Sequence, residues 1–229
     1  MSIKIKWYGH GTYGLDVGAH KIIVDPFFAP DNPVAPVTAN EVEADFILQT
    51  HGHGDHITDT VALAKRTGAV IISNFEICNW IMKQGYENTH GMNIGGGYQF
   101  DFGRAEMTLA LHSSGLPDGA YGGNPAGFLI RAENRNVYFA GDTAVFSDMQ
   151  MIGDVGLDLA VLPIGDNFTM NAQSSLQAIK FLRPKVVIPG HYDTWPIVAQ
   201  DASEWEKGVR ESTDAKPVVL AVGETFTVS

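Results

Sequence analysis

Residues 50–56 read Thr-His-Gly-His-Gly-Asp-His and place three histidines and one aspartate close together, separated by glycines. Imidazole and carboxylate groups are common protein ligands of zinc and similar divalent ions. A solvated loop with a chance cluster of histidines is the alternative, and the spacing of four ligand-type residues disfavours it. The sequence therefore predicts a metal site in this stretch.

The motif lies between a predicted strand and a predicted helix. The residues before it are largely apolar, as in a buried strand, and residues 57–67 carry apolar side chains at helical spacing. Side chains two positions apart face the same way along an extended chain, so His51 and His53 can bind one ion together. Asp55 and His56 begin the helix and point in another direction, which leaves them free to bind a second ion.

Three later residues also follow predicted strands. His112, Asp142 and His191 each end an apolar run, at the position where binding groups collect on a rigid scaffold. Taken singly, each residue also fits a capped turn or a buried polar group with a hydrogen-bond partner. Taken in order with residues 50–56, they supply the further ligands that a site for two ions needs.

The string His-x-His-x-Asp-His resembles the signature of the metallo-β-lactamase superfamily, and the order of the later residues extends the resemblance. It implies two divalent ions bridged by Asp142, one held by His51, His53 and His112 and the other by Asp55, His56 and His191. Zinc is the expected metal, with manganese, iron and nickel as alternatives. Two such ions lower the pKa of a shared water towards about 7, which implies a bridging hydroxide as nucleophile. Asp142 and Asp55 are then the implied catalytic residues, and either Asp55 or a metal-bound water passes a proton to the leaving group.

The resemblance is closer to the lactonase-like branch, which includes ascorbate-6-phosphate lactonase-type enzymes and metal-dependent hydrolases of unknown substrate. The strings that carry it include 7–10, 24–26 and 138–143. Asp142 stands where a common class of lactamases has cysteine, so antibiotic hydrolysis is not implied. The implied reaction is cleavage of a small ester, lactone or phosphoester. A phosphodiesterase or nuclease, an iron-dependent oxidoreductase and a non-catalytic metal-binding protein are the alternatives.

Other polar residues near these strands have more than one interpretation. His10 contacts substrate, donates a proton or supports a ligand. Asp25 orients a ligating imidazole, as outer carboxylates do, or caps a turn. Asn167 is expected to face the substrate, and Tyr192 with Trp195 either lines the pocket or packs in the core.

The single cysteine, Cys78, shares a predicted helical face with Phe75, Ile81 and Met82. We therefore expect a buried thiol in the core rather than a nucleophile or a ligand.

Strands and helices alternate in both parts of the chain, which indicates α/β layering. Three apolar strings of the first part match three of the second at a nearly constant offset: 22–25 with 139–142, 44–48 with 157–161, and 69–72 with 185–188. We expect one α/β domain over residues 1–229, a four-layer αββα sandwich of two pseudo-symmetric halves, about 1–115 and 116–229, with the metal site at one edge of the sheets. The proline-rich segment 27–40 is predicted to be a loop over that site, and 218–221 a strand.

Composition narrows the possible partners. The formal net charge of −11 over 229 residues disfavours a broad electrostatic contact with nucleic acid, which needs clustered lysine and arginine. The N-terminus shows no export signal, and no run approaches the ~18 apolar residues of a membrane helix. We expect a cytoplasmic protein that acts on a small molecule without a nucleic-acid or membrane partner. A homo-oligomer remains an open alternative.

Overall fold

The computed structural model of the protein describes residues 2–228 and contains two seven-stranded mixed sheets flanked by helices. The strands are β1 (Ile3–Trp7), β2 (Tyr13–Val17), β3 (His20–Val24), β4 (Phe46–Leu48), β5 (Val70–Asn74), β6 (Thr89–Met92), β7 (Gly97–Phe100), β8 (Gly103–Leu109), β9 (Ala126–Ala132), β10 (Arg135–Phe139), β11 (Leu159–Pro163), β12 (Val186–Gly190), β13 (Lys216–Pro217) and β14 (Thr225–Val228). The α-helices are α1 (Gly54–Ile57), α2 (Thr60–Thr67), α3 (Phe75–Lys83), α4 (Met149–Gly153), α5 (Ala172–Leu182) and α6 (Ala202–Ser212). Single 3-10 turns span Ala39–Glu41 and Pro196–Val198.

The two sheets have equivalent strand orders, β14-β1-β2-β3-β4-β5-β6 and β7-β8-β9-β10-β11-β12-β13. In the first, β14, β1, β2 and β3 pair antiparallel, and β3 to β6 pair parallel. The second repeats this pattern, with β7 to β10 antiparallel and β10 to β13 parallel. Strand pairing of this kind confirms the predicted α/β sandwich with two pseudo-symmetric halves.

The chain passes from the first sheet to the second between Met92 and Gly97, and its last strand, β14, returns to the first sheet. The sheets therefore divide the chain at a different place from the sequence halves 1–115 and 116–229. What the repeat preserves is the series of parallel strands. Their carboxyl ends meet at one edge of the sandwich, where ligands commonly bind in α/β folds.

The main core lies between the sheets and follows from the alternation of apolar residues. In β1, Ile3, Ile5 and Trp7 are buried while Lys4 is exposed, as expected for a strand with one face on the core. Strand β11, in the middle of its sheet, is buried along its whole length. A second apolar cluster fills the space between the first sheet and helices α2 and α3.

Helix α3 corrects one expectation from the sequence. Cys78 is buried, as predicted, together with Ile77 and Ile81. Phe75 and Met82 are 60% and 40% exposed, so their assignment to the buried face was wrong. The helix presents the side of Ile77 to the sheet, which turns the other two side chains towards its outer surface.

The C-terminal strand prediction was also wrong in extent. Strand β13 covers only Lys216–Pro217, not 218–221, because the backbone leaves the sheet edge after the bond from the Val218 amide to the Val187 carbonyl (2.9 Å). Segment 27–40 is the predicted loop, with one isolated bridge between Ala29 and Thr38. Across residues 2–228, no helix combines the length and the apolar character that crossing a membrane requires.

Candidate metal centre

The seven predicted ligands lie together at the edge formed by the carboxyl ends of the parallel strands. They follow β4 (His51, His53), begin α1 (Asp55, His56) and follow β8 (His112), β10 (Asp142) and β12 (His191). Both sheets therefore contribute. Four strand ends and one short helix fix the side chains, so the positions depend on the fold and not on a single flexible loop.

Asp142 is at the centre of this cluster. Its Oδ2 atom lies 3.1 Å from His191 Nε2, 3.5 Å from His56 Nε2, 3.6 Å from His112 Nε2 and 4.0 Å from His51 Nε2. The side chain is only 4% exposed. One carboxylate oxygen therefore faces imidazoles from both groups of predicted ligands.

The first group of donors is His51, His53 and His112, whose ligand atoms lie within 4.8 Å of one another. His53 Nδ1 is 3.1 Å from His51 Nε2 and 3.2 Å from His112 Nε2. The His53 Nε2 atom points away, to the Ser113 hydroxyl at 3.2 Å. This contact leaves Nδ1 of His53 as the atom directed to the cluster.

The second group is His10, Asp55, His56 and His191, again within 4.8 Å. His10 is not among the predicted ligands, yet its Nε2 atom is 3.1 Å from Asp55 Oδ2, and its ring centroid is 3.9 Å from that of His191. Its Nδ1 atom is 2.7 Å from the Thr194 hydroxyl. His10 is fully buried, so its contacts are with the cluster and not with solvent.

Asp25 follows β3 and contacts the cluster through His56. Its carboxylate accepts hydrogen bonds from the Thr50 amide (2.8 Å), the Thr50 hydroxyl (2.6 Å) and the Gln49 side chain (3.1 Å). Its Oδ2 atom is 2.9 Å from His56 Nδ1. Because the Thr50 hydroxyl donates to Asp25, it is free to accept from His51 Nδ1, 2.9 Å away. Both imidazoles then present Nε2 to the site.

Three of these residues have an unusual backbone. His10, Asp25 and His191 adopt φ values of 54°, 47° and 54°, a left-handed conformation that residues other than glycine rarely adopt and that costs on the order of 1–3 kcal/mol each. Backbone hydrogen bonds hold two of them against each other, since the His191 amide donates to the His10 carbonyl at 3.0 Å. Strain therefore occurs where side chains are aimed at the cluster.

Electrostatics favour the ligand forms of most of these groups. Burial lowers the pKa of the His51, His53 and His112 imidazoles, so they are neutral at pH 7. Burial raises the pKa of the Asp142 carboxyl, but His191 and His56 outweigh it and lower that pKa well below its ordinary value. Neutral imidazoles and an ionised carboxylate are the forms that bind metals.

His56 differs from the other imidazoles. Burial lowers its pKa, but the carboxylates of Asp142 and Asp25 outweigh burial and raise that pKa well above its ordinary value. For Asp55, burial raises the pKa, and the hydrogen bond from His10 together with the nearby charge of His56 lowers it below its ordinary value. Without an ion, His56 therefore carries the proton, and the carboxyls of Asp142 and Asp55 are ionised.

A divalent cation fits these donors. His56 Nε2 and both ring nitrogens of His191 are buried without a hydrogen-bond partner among residues 2–228. A buried polar atom without a partner costs roughly 1–3 kcal/mol, and coordination of an ion would remove that cost. Imidazole and carboxylate donors suit zinc, and also manganese, iron and nickel. Asp142, His56 and His191 would hold the ion with the other donors of the two groups.

The remaining predicted residues lie around the cluster. Asn167 is exposed, in a turn whose Met170 amide donates to the carbonyl of Thr143, the residue after Asp142. Tyr192 is 5% exposed and stacks on Trp7 at 5.2 Å between ring centroids. The ring centroid of Trp195 lies 5.1 Å from that of His10, so Trp195 borders the cluster.

Sequence reasoning missed the hydroxyl groups that contact the imidazoles: Thr50, Ser113 and Thr194. Each is close in sequence to a histidine of the cluster, and this proximity is the only signal that could have found them. The loop 27–40 borders the site through Phe27, whose ring centroid is 5.8 Å from that of His10.

Comparison with known proteins defines the class of this chain. A profile of the family described as "Beta-lactamase superfamily domain" matches residues 20–192. The structure aligns with Igni18, a metallo hydrolase from the archaeon Ignicoccus hospitalis, with a TM-score of 0.90 and 35% identity, covering 100% of this chain and 99% of that one. The chain therefore belongs to the metallo-β-lactamase superfamily, which confirms the resemblance read from the histidine motif.

Curated relatives place it more closely. The chain is 44% identical over 235 residues to a "UPF0173 metal-dependent hydrolase" of Heliobacterium modesticaldum, with 99% of this chain and 98% of the relative covered. It is 46% identical over 209 residues to a protein of the same description in Thermus thermophilus, with 91% and 92% covered. Within the superfamily, the chain belongs to the UPF0173 metal-dependent hydrolases.

Proposed function

We propose that this chain hydrolyses a small ester or lactone with two divalent ions, zinc being the first candidate, bound by the two groups of donors that share Asp142. The observation that carries the proposal is the position of Asp142 Oδ2, within 4.0 Å of Nε2 atoms of four histidines. Family membership supports hydrolysis as the type of reaction. The set of donors supports a centre with more than one ion, since one tetrahedral ion needs only four ligands.

Two divalent ions bound here would lower the pKa of a water towards neutrality and polarise the carbonyl under attack. The protein side chains would keep this arrangement fixed. Asp25 holds His56 directly and His51 through Thr50. Ser113 holds His53. Residues that are already aimed do not have to reorganise during the reaction, which is the basis of electrostatic catalysis.

Asp55 is the residue best placed to move a proton. Its side chain is 31% exposed, whereas Asp142, His191 and His10 are almost completely buried. Its carboxyl is ionised because its pKa is lowered, so a proton that it takes up from the attacking water is held weakly and is released readily. The same carboxyl can then pass that proton to the departing alkoxide, and the contact with His10 keeps Asp55 in position meanwhile.

The test is turnover of a panel of lactones and aryl esters, beside bis(4-nitrophenyl) phosphate, by purified protein loaded with zinc, manganese, iron or nickel in turn. We expect hydrolysis of at least one ester or lactone, and metal content near two ions per chain by mass spectrometry. Activity on the phosphodiester alone would overturn the proposed substrate class. Oxygen consumption by the iron-loaded protein, without hydrolysis, would overturn the proposed reaction.

A further inference from the structure

Seven connecting segments leave the strands at the metal edge and carry all the candidate site residues: 8–12, 25–45, 49–59, 110–125, 140–148, 164–171 and 191–201. None of these segments contains a lysine or an arginine. All 15 lysines and arginines of the chain lie in strands, in helices or in the turn between α5 and β12. The segments that surround the metal centre therefore contain no lysine or arginine.

The same segments are rich in acidic residues. Besides the residues of the cluster, and apart from Asp45 just before β4, they carry six exposed aspartates: Asp31, Asp118, Asp148, Asp166, Asp193 and Asp201. An anionic substrate group bound beyond the ions would meet these charges without a compensating arginine or lysine. Clefts lined by one sign of charge favour ligands of the opposite sign or of none.

Helix N-termini are the other common sites for phosphate, because their first amides point outward. The three longest helices that start at or near this edge already use those amides. Asn74 accepts from the Ile77 amide in α3, and Asn171 accepts from the Ser174 amide in α5, both at 2.8 Å. Asp201 accepts from the Ser203 amide in α6 at 3.0 Å and brings its own negative charge. Each of these helix ends therefore already has a side-chain acceptor on one or more of its first amides.

Three of the same segments carry large apolar side chains that are exposed to solvent. Leu111, Phe168 and Ile197 are 48%, 54% and 57% exposed. Leu111 directly precedes His112, and its amide donates to the Thr143 hydroxyl at 3.0 Å. The turn of Phe168 meets the same residue through the bond from Met170 to the Thr143 carbonyl. Ile197 lies in the segment that follows His191.

We propose that the substrate is an uncharged ester or lactone whose apolar substituent contacts Leu111, Phe168 and Ile197, and that esters carrying a phosphate or carboxylate group on that substituent are poor substrates. The proposal rests on the ester hydrolysis proposed above and narrows its substrate class. An apolar group gains by leaving water for these side chains. A phosphate group gains nothing there, since the segments offer no lysine or arginine in exchange for its hydration.

Three 4-nitrophenyl esters of similar length test it: the butanoate, the monoester of succinic acid, and the 4-(trimethylammonio)butanoate. We expect kcat/KM of the zinc-loaded protein for the neutral ester to exceed that for the anionic ester at least about tenfold at low ionic strength. The cationic ester should exceed the anionic one as well. Added salt should reduce the difference between the two charged esters, because it screens the aspartates.

A pair of variants locates the effect. Phe168→Arg should raise kcat/KM for the anionic ester relative to the neutral one. Met151→Arg is the matched control, since Met151 is 71% exposed on α4. Gly153 of the same helix packs against the carbonyls of Phe181 and Leu182, at the end of α5 that lies away from the metal edge. The control variant adds the same charge away from the site and should leave the ratio unchanged.

An anionic ester hydrolysed as well as the neutral one would overturn the inference, and so would equal responses to the two arginine variants. Neither result would affect the proposed hydrolysis of esters. Failure to hydrolyse any of the three esters or any lactone, under every metal, would instead overturn the proposed function, and the inference with it.

Discussion

Asp25 and Asp142 occupy equivalent positions in the two sheets, and they do different work there. Asp25 is the first residue after β3, and Asp142 is the third residue after β10. Each of these strands joins the antiparallel part of its sheet to the parallel part. Asp25 accepts hydrogen bonds from Thr50 and Gln49 and contacts a single imidazole. Asp142 faces four imidazole nitrogens instead. A repeated backbone thus supplies one carboxylate that orients an imidazole and one that lies among the candidate metal ligands.

The largest effect is expected at Asp142. Asp142→Ala removes the oxygen that faces both donor groups, so we expect loss of bound metal and of activity. The loss should exceed the roughly 10–100-fold that is typical when a residue hydrogen-bonded to a metal ligand is replaced. Asp142→Asn keeps the shape and removes the charge, and it should show most of the same loss. Metal content by mass spectrometry and ester turnover measure both. A variant that still holds two ions would contradict the bridging position.

Asp25→Asn is expected to have a smaller effect. Asparagine tolerates the left-handed backbone at this position, so the turn should survive. Its amide group cannot accept from both Thr50 and His56, and the two imidazoles lose their fixed orientation. We expect metal affinity to fall about 10- to 100-fold, and we expect the loss at both groups of donors. Metal titration measures this, and the melting temperature of the metal-free variant shows whether the fold is intact.

The contact of His56 with both aspartates predicts a proton released on metal binding. The pKa of His56 is raised well above its ordinary value, so at pH 7 it is protonated until an ion displaces the proton. We expect release of about one proton from His56, and an apparent affinity that rises about tenfold per pH unit below that pKa. Calorimetry in buffers of different ionisation enthalpy measures the release. Asp25→Asn should reduce it, and no buffer dependence would contradict it.

The smallest effect is expected at Thr194, on the His10 side. Thr194→Val removes the hydroxyl that meets His10 Nδ1 but keeps the shape of the side chain. Metal binding should weaken roughly 2- to 10-fold, the value of one hydrogen bond. Thr194→Ser should restore it, because serine returns the hydroxyl. If valine and serine behave alike, His10 does not depend on this contact.

The candidate ligand set could be proposed from the sequence because its residue types and order carry the information. His51, His53 and the later His112, Asp142 and His191 each follow an apolar strand, and the fold brings strand ends together. The roles of Thr50, Ser113 and Thr194 were not accessible, since a hydroxyl acts only at a distance and angle that no pattern encodes. His10 is similar: it reaches Asp55 through the left-handed turn after β1.

The fold could be predicted to the same depth. Alternating strands and helices and the repeat of 22–25 in 139–142 indicated two related sheets. The orientation of α3 failed, because a short helix with apolar residues on several sides has more than one possible buried face. Only packing on the sheet selects Ile77 over Phe75 and Met82. The predicted extent of β13 was wrong for a related reason, since a segment at the edge of a sheet is held by few backbone hydrogen bonds.

The indole of Trp195 stands beside His10 with 5.1 Å between ring centroids, and beside Phe27 at 6.2 Å. Its emission therefore depends on what happens a few ångströms away, where His10 contacts Asp55. A cation arriving there changes the local field felt by the excited ring. We therefore expect tryptophan emission to change as the centre fills, so that ion binding can be followed in real time without a dye or a label.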